Sequence, residues 1–229
     1  MTDRKYLENF PFETLYFLRK LDKNNNREWF NEHRQMYEEK FLKPAQAFVE
    51  EVGLHLMDIN PDFQAIPKIN KSIFRIYRDA RFSKNKNPYK TNLGIIFWEG
   101  SGKKMESSGL YFHIDPKSFL IALGMYEFTK LHLKQYRKIV SIEKYAEELT
   151  VICDKIKKMG FSLGGKKYKK VPHGFDKEYK YAELLLFKGV YAYKEENVES
   201  LKNTDIIKFT INTFQKLQPL HDWLMENIL

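Results

Sequence analysis

Between Phe74 and Asn92 the chain reads FRIYRDARFSKNKNPYKTN, with Arg75, Arg78, Arg81, Lys84, Lys86 and Lys90 set against one acid, Asp79. Arginine presents a planar fork of donors that matches carboxylate and phosphate oxygens, and lysine adds mobile point charge. One reading of the spacing is an anion site. Arg75, Arg78, Arg81, Lys86 and Lys90 would converge on one anion, Tyr89 would line it, and Asp79 would orient an arginine. Ser83 and Tyr77 within the stretch, and His113 beyond it, are supporting candidates. A second account needs no ligand: the same arginines pair with Asp79 and with carboxylates from the helical regions as a structural salt-bridge network. One acid cannot neutralise three arginines, and a buried arginine without a partner is costly.

The wider charge distribution sharpens the question. The 229 residues carry a formal net charge of +9. From Lys68 to Lys104 ten basic residues face two acids, and from Lys155 to Lys170 seven lysines face none. Such concentration points to a local anionic partner rather than to general solubility. The second block is all lysine and lacks the fork, so a solvated surface accounts for it. Tyr77, Phe82, Tyr89, Phe97 and Trp98 interleave with the first block and would suit stacking on nucleic-acid bases.

The elements that must position these residues follow from periodicity. Leu15, Phe17, Leu18 and Leu21 form a helical stripe that KNNN interrupts, and Asn25 or Asn26 is a natural N-cap for the next helix. Trp29, Phe30, His33, Tyr37 and Phe41 continue at helical steps. Pro44 interrupts, a further helix carries Ala45 to Leu56, and Asn60-Pro61 ends it. From Ile66 the period shortens to two. SIFRIYR, LGIIFW, LYFHID and SFLIALGMY read as strands, with Asp115-Pro116-Lys117-Ser118 a tight turn. Helices return at Lys130–Ile139 and Ile142–Met159. A helix at Tyr181–Phe187, a strand at Val190–Tyr193 and a final helix kinked at Pro219 complete the chain. This order predicts an α+β fold: an antiparallel sheet over about residues 72–125, flanked by N-terminal and C-terminal helices in a single domain, 1–229.

Standard catalytic signatures are missing. GFSLGGKK, Gly160 to Lys167, resembles a phosphate loop, but Lys167 stands where a hydroxyl should hold magnesium. Gly160 reads as a helix terminator and the rest as a turn. The six histidines show no paired ligand spacing, so neither metal nor cofactor is expected. His33 reads as a hydrogen-bonded core residue and the one cysteine, Cys153, as a small buried side chain. With no apolar leader, no membrane-length apolar run and no cysteine pair, the expectation is a cytoplasmic protein that uses no membrane.

The motif Arg75, Arg78-Asp79, Arg81-Phe82-Ser83, Lys86, Pro88-Tyr89-Lys90-Thr91 closely resembles that of domain-of-unknown-function family twenty-four sixty-one, uncharacterised microbial proteins of similar length. Phe17-Leu18, Leu21, Asn24-Asn25 and Trp29-Phe30 resemble its N-terminal pattern. Gly109-Leu110-Tyr111 through Gly124-Met125-Tyr126 resemble its strand pair, and Lys169-Lys170-Val171-Pro172-His173-Gly174 a later stretch. His173 departs from the basic residue usual there and is left out of the site. The resemblance implies one family-typical domain and supplies no activity. Two functions stay open. One is a module binding a phosphate-bearing ligand or nucleic acid. The other is an enzyme on a small phosphorylated or carboxylated substrate, with arginines as clamp and Tyr89, Tyr111 or His113 as proton donor.

Overall fold

The computed structural model describes residues 4–79, 81 and 83–229. Helices α1 (Phe12–Lys23), α2 (Arg27–Glu32), α3 (Arg34–Tyr37) and α4 (Lys43–Ile59) open the chain. Strands β1 (Phe63–Gln64), β2 (Leu93–Glu99), β3 (Gly109–Ile114) and β4 (Ser118–Met125) follow. Then come α5 (Lys130–Val140), α6 (Glu143–Lys158), β5 (Ser162–Lys166), β6 (Phe187–Asn197) and α7 (Ile206–Ile228). The fold is α+β, with an antiparallel six-stranded sheet in the order β1-β2-β3-β4-β6-β5. The sheet thus extends past residue 125, because β5 and β6 join it.

The chain divides into two compact units, each drawn from three separate stretches. The first comprises Met1–Phe97, Tyr111–Ile121 and Glu195–Asn212; the second comprises Trp98–Leu110, Ala122–Lys194 and Thr213–Leu229. In the first unit the apolar stripe of α1 is fully buried at Leu15, Phe17, Leu18 and Leu21. Phe17 meets Tyr37 and Phe41 at centroid distances of 5.8 and 5.7 Å. Phe48 of α4 packs on Phe112 of β3 at 4.9 Å. Burying each such side chain contributes about 1.5–3 kcal/mol, which anchors the helices that flank the arginine segment. In the second unit Tyr136 of α5 is fully buried, and its hydroxyl donates to the Leu184 carbonyl at 3.0 Å.

The structure departs from several of these expectations. The helical stripe from Trp29 to Phe41 is not one helix. It breaks at His33, whose backbone leaves the helical region, and Glu38–Leu42 forms a π-turn before α4. Pro44 begins α4 rather than interrupting a helix, since a first-turn proline sacrifices no hydrogen bond. The final helix is present as expected, α7, with Pro219 inside it. After Gly160, with φ +85°, residues 162–166 form β5 rather than a turn. The 181–187 helix is a short 3₁₀ turn, Ala182–Leu186, and the strand that follows runs much further than Val190–Tyr193.

SIFRIYR is the most consequential difference, because it is not a regular strand. It lies antiparallel to the chain around β2 through scattered bonds: Ile96 N to Ser72 O, Phe74 N to Gly94 O, Lys90 N to Ile76 O, and Arg78 N to Pro88 O, at 2.8–3.0 Å. Phe74 to Ile76 is a step of two residues, while Gly94 to Lys90 is a step of four. Two extra residues on the second side therefore bulge out of the ladder around Thr91 and Asn92. Pro88, which has no N–H, can only accept. Side chains nonetheless alternate in part. Ile76 is buried while Arg75 and Tyr77 face solvent, and Arg78 is half-buried.

Candidate anion-binding site

The paired stretches 72–79 and 83–96 and the start of α2 flank an open cleft of about 640 Å³ lined by Arg27, Asn31, Arg75, Tyr77, Arg78, Asp79, Arg81, Lys86, Pro88 and Tyr89. All of these lie in the first unit. Arg75, Arg78, Arg81, Lys86 and Tyr89 thus share one concavity, with Asp79 and Tyr77 beside them. Lys90 instead lines a neighbouring cavity of about 380 Å³, formed with Asp22, Asn25, Asn85, Asn87, Thr91 and Asn92. Arg78 and Tyr89 belong to both.

Local structure explains the convergence. Asn26 caps α2, its side chain accepting from Trp29 N at 2.9 Å, so Arg27 stands at the first turn facing the hairpin cavity. Asn25 has another task. Its Nδ2 donates to Tyr89 O and its Oδ1 accepts from Tyr89 N, both at 3.1 Å. A side-chain amide here replaces a strand partner and ties Pro88-Tyr89-Lys90 to the turn after α1. Tyr89 is buried and stacks on Phe30 at 4.2 Å, so one ring face is covered.

Charge in the cavity is not balanced by its acid. Asp79 is engaged by Arg81, whose Nε and Nη2 donate to its two carboxylate oxygens at 3.0 and 2.7 Å. Those bonds, and to a smaller extent the nearby charge of Arg75, hold the Asp79 carboxyl below its usual range. Arg78 donates to Ser83 Oγ at 3.0 Å, a neutral partner that fixes its fork without neutralising it. Among the described residues no carboxylate lies within ion-pair distance of Arg27, Arg75 or Arg78. The Lys90 ammonium is pushed down, first by burial and then by the charge of Arg75. A lysine made easier to deprotonate by its surroundings is one that an arriving anion would stabilise.

Other candidates sit elsewhere. His113 of β3 is outside both linings. Its Nδ1 lies 3.0 Å from the Tyr111 hydroxyl and 3.4 Å from Asn92 Nδ2, and its Nε2 lies 3.8 Å from Asp115. Burial lowers its pKa despite Asp115, and raises that of Tyr111 to about 12. His113 reaches the second cavity only through Asn92. Of the aromatics read as stacking platforms, Phe97 and Trp98 are buried in β2 and Tyr89 is buried against Phe30. Tyr77 is 51% exposed, and Phe82 lies outside the described residues. Arg27, Asn31, Asp22 and the Asn25 tie were missed from sequence. Arg27 stands some fifty residues before the motif, and only its place after a capping asparagine marked it. In the second basic block, Lys157 and Lys166 pair with Asp154 and Glu183, as a solvated lysine face does.

No group of three or more metal-ligating side chains is gathered among the described residues, and no helix among them is long and apolar enough to cross a membrane. A family model described as "Conserved hypothetical protein (DUF2461)" matches residues 13–223. Among solved structures, an uncharacterized protein from Methanothermobacter thermautotrophicus is similar at 11% identity, with a TM-score of 0.37, over 78% of this chain and 99% of that one. No curated protein matches.

Proposed function

For this chain, which belongs to the DUF2461 family of conserved hypothetical proteins, we propose that the arginine-lined cavity is a binding site for a phosphate-bearing ligand. One observation carries the reading. Arg27, Arg75 and Arg78 line a single concavity whose one acid, Asp79, is committed to Arg81. A salt-bridge scaffold would distribute carboxylates among these arginines. An anion site holds donor forks unneutralised until ligand arrives, and each charge-assisted bond then contributes about 1.5–3 kcal/mol. A cavity of this size suits a small molecule. Nucleic acid is the less favoured partner, because three of the five aromatics read as stacking platforms are buried. An enzyme role is also less favoured, because two of the three candidate proton donors, Tyr111 and His113, stand outside the cationic lining, and the third, Tyr89, is buried against Phe30.

The test is a thermal-shift comparison of orthophosphate, pyrophosphate and sulfate against chloride at equal ionic strength. Phosphate should raise the melting temperature of the parent as ligand binding to the native state requires. Arg75→Ala and Arg78→Lys should lose that response while melting near the parent. If no anion stabilises the parent and both variants melt early, the arginines are structural and the proposal fails. Single-stranded oligonucleotide binding in preference to phosphate would move the assignment to nucleic acid.

A further inference from the structure

Resting on the anion reading above, we propose that the ligand is a sugar or polyol monophosphate, its phosphate held in the arginine cavity and its hydroxyls in the neighbouring one. The two cavities share Arg78 and Tyr89, so an anion on the Arg78 fork stands at the boundary of both. Their linings differ in kind. The first is cationic. The second is built from carboxamides, a hydroxyl and a carboxylate, with Lys90 as its other cation besides Arg78.

The hydrogen-bonding capacity left in the second cavity can be counted by atom. Asn25 is spent on the Tyr89 backbone. Asn85 Oδ1 accepts from Asn87 N, which leaves its amide nitrogen as a donor. Asn92 directs Nδ2 toward His113, which leaves Oδ1 as an acceptor. Asp22, the Asn87 amide and the Thr91 hydroxyl make no hydrogen bond or ion pair among the described residues. Thr91 and Asn92 are there because the ladder bulges at that point. The compartment thus offers donors, acceptors and a group that is both, which is the complement of hydroxyl groups that donate and accept together. A nucleobase would instead seek an open ring face. The ring lining this cavity, Tyr89, is buried and stacked on Phe30.

Asp22 supplies polarity of orientation. Its carboxylate accepts from hydroxyls and offsets one of the two cations there, Arg78 and Lys90, whereas in the first cavity five cations face Asp79 alone, so the charged end of the ligand is directed to the arginines. A ligand with phosphates at both ends is therefore discriminated against.

Calorimetric titration with orthophosphate, ribose, ribose phosphate and ribose bisphosphate tests this. Ribose phosphate should bind the parent about tenfold or more tighter than orthophosphate, and tighter than the bisphosphate. Adenosine monophosphate should gain nothing over ribose phosphate. Asp22→Asn should narrow the gap between bisphosphate and monophosphate. Thr91→Val should weaken ribose phosphate several-fold while leaving orthophosphate unchanged. Both positions are on the surface or half-buried, so neither change should threaten folding. Orthophosphate binding with no gain from the sugar overturns this inference and leaves the anion reading standing. Failure of orthophosphate and ribose phosphate alike to bind the parent overturns the anion reading and this inference with it.

Discussion

Replacing Asn25 by alanine should damage both stability and the site, by an amount that can be worked from its two bonds. The side chain satisfies the N–H and the carbonyl of Tyr89, each at 3.1 Å. A typical intramolecular hydrogen bond contributes about 1 kcal/mol net, so the pair contributes about 2 kcal/mol. Both bonds are part-buried, so water replaces them only incompletely. For a chain of this length that loss lowers the melting temperature by about 4–8 °C. Asn25→Asp keeps the acceptor for Tyr89 N but loses the donor to Tyr89 O, and should fall between parent and alanine variant. Thermal denaturation gives the first number, and amide hydrogen exchange at Tyr89 gives the second. The Tyr89 amide should exchange much faster in Asn25→Ala. An alanine variant melting within about 1 °C of the parent, with Tyr89 equally protected, would refute the claim that this amide stands in for a strand partner.

Three further outcomes are expected. His113 has its folded pKa lowered from 6.5 by burial, so between the two values the unfolded chain binds the extra proton; stability should fall as pH drops through about 6.5, and His113→Gln should flatten that slope in denaturant titrations at several pH values. Cys153 is buried with its thiol pushed up to about 11, so iodoacetamide should label it slowly in the folded protein and rapidly in denaturant, as mass spectrometry would show. We propose that the chain is one cooperative domain, because it crosses between its two compact units five times; a single calorimetric transition is expected, and two separable transitions would count against it.

The legible part of the molecule was the part written in local pattern. The α1 stripe, the Asn26 cap, the Asp115 turn and strands β2 to β4 follow from periodicity and turn chemistry that neighbouring residues enforce. SIFRIYR failed because its own alternation is strand-like, and what spoils the ladder is a bulge on the opposite segment. No property of residues 72–78 records that. The π-turn at Glu38–Leu42 was not legible for a related reason: packing overrides a local signal when both flanks are well buried. The cations of the site were visible as a motif because six lie within nineteen residues. Their split was not. Lys90 leaves the cluster because the bulge after it turns the chain toward the asparagines, and Arg27 enters because Asn25 ties its helix to Tyr89. Asn25 and Tyr89, some sixty residues apart in the sequence, are thus two sides of one contact.

The most direct measurement is anomalous diffraction from crystals soaked in tungstate, a heavy stand-in for phosphate. A peak is expected inside the arginine cavity, with oxyanion oxygens about 2.7–3.0 Å from the guanidinium nitrogens of Arg75 and Arg78. Tungstate bound only along the lysines of residues 155–170, with the arginine cavity empty at saturating concentration, would contradict it.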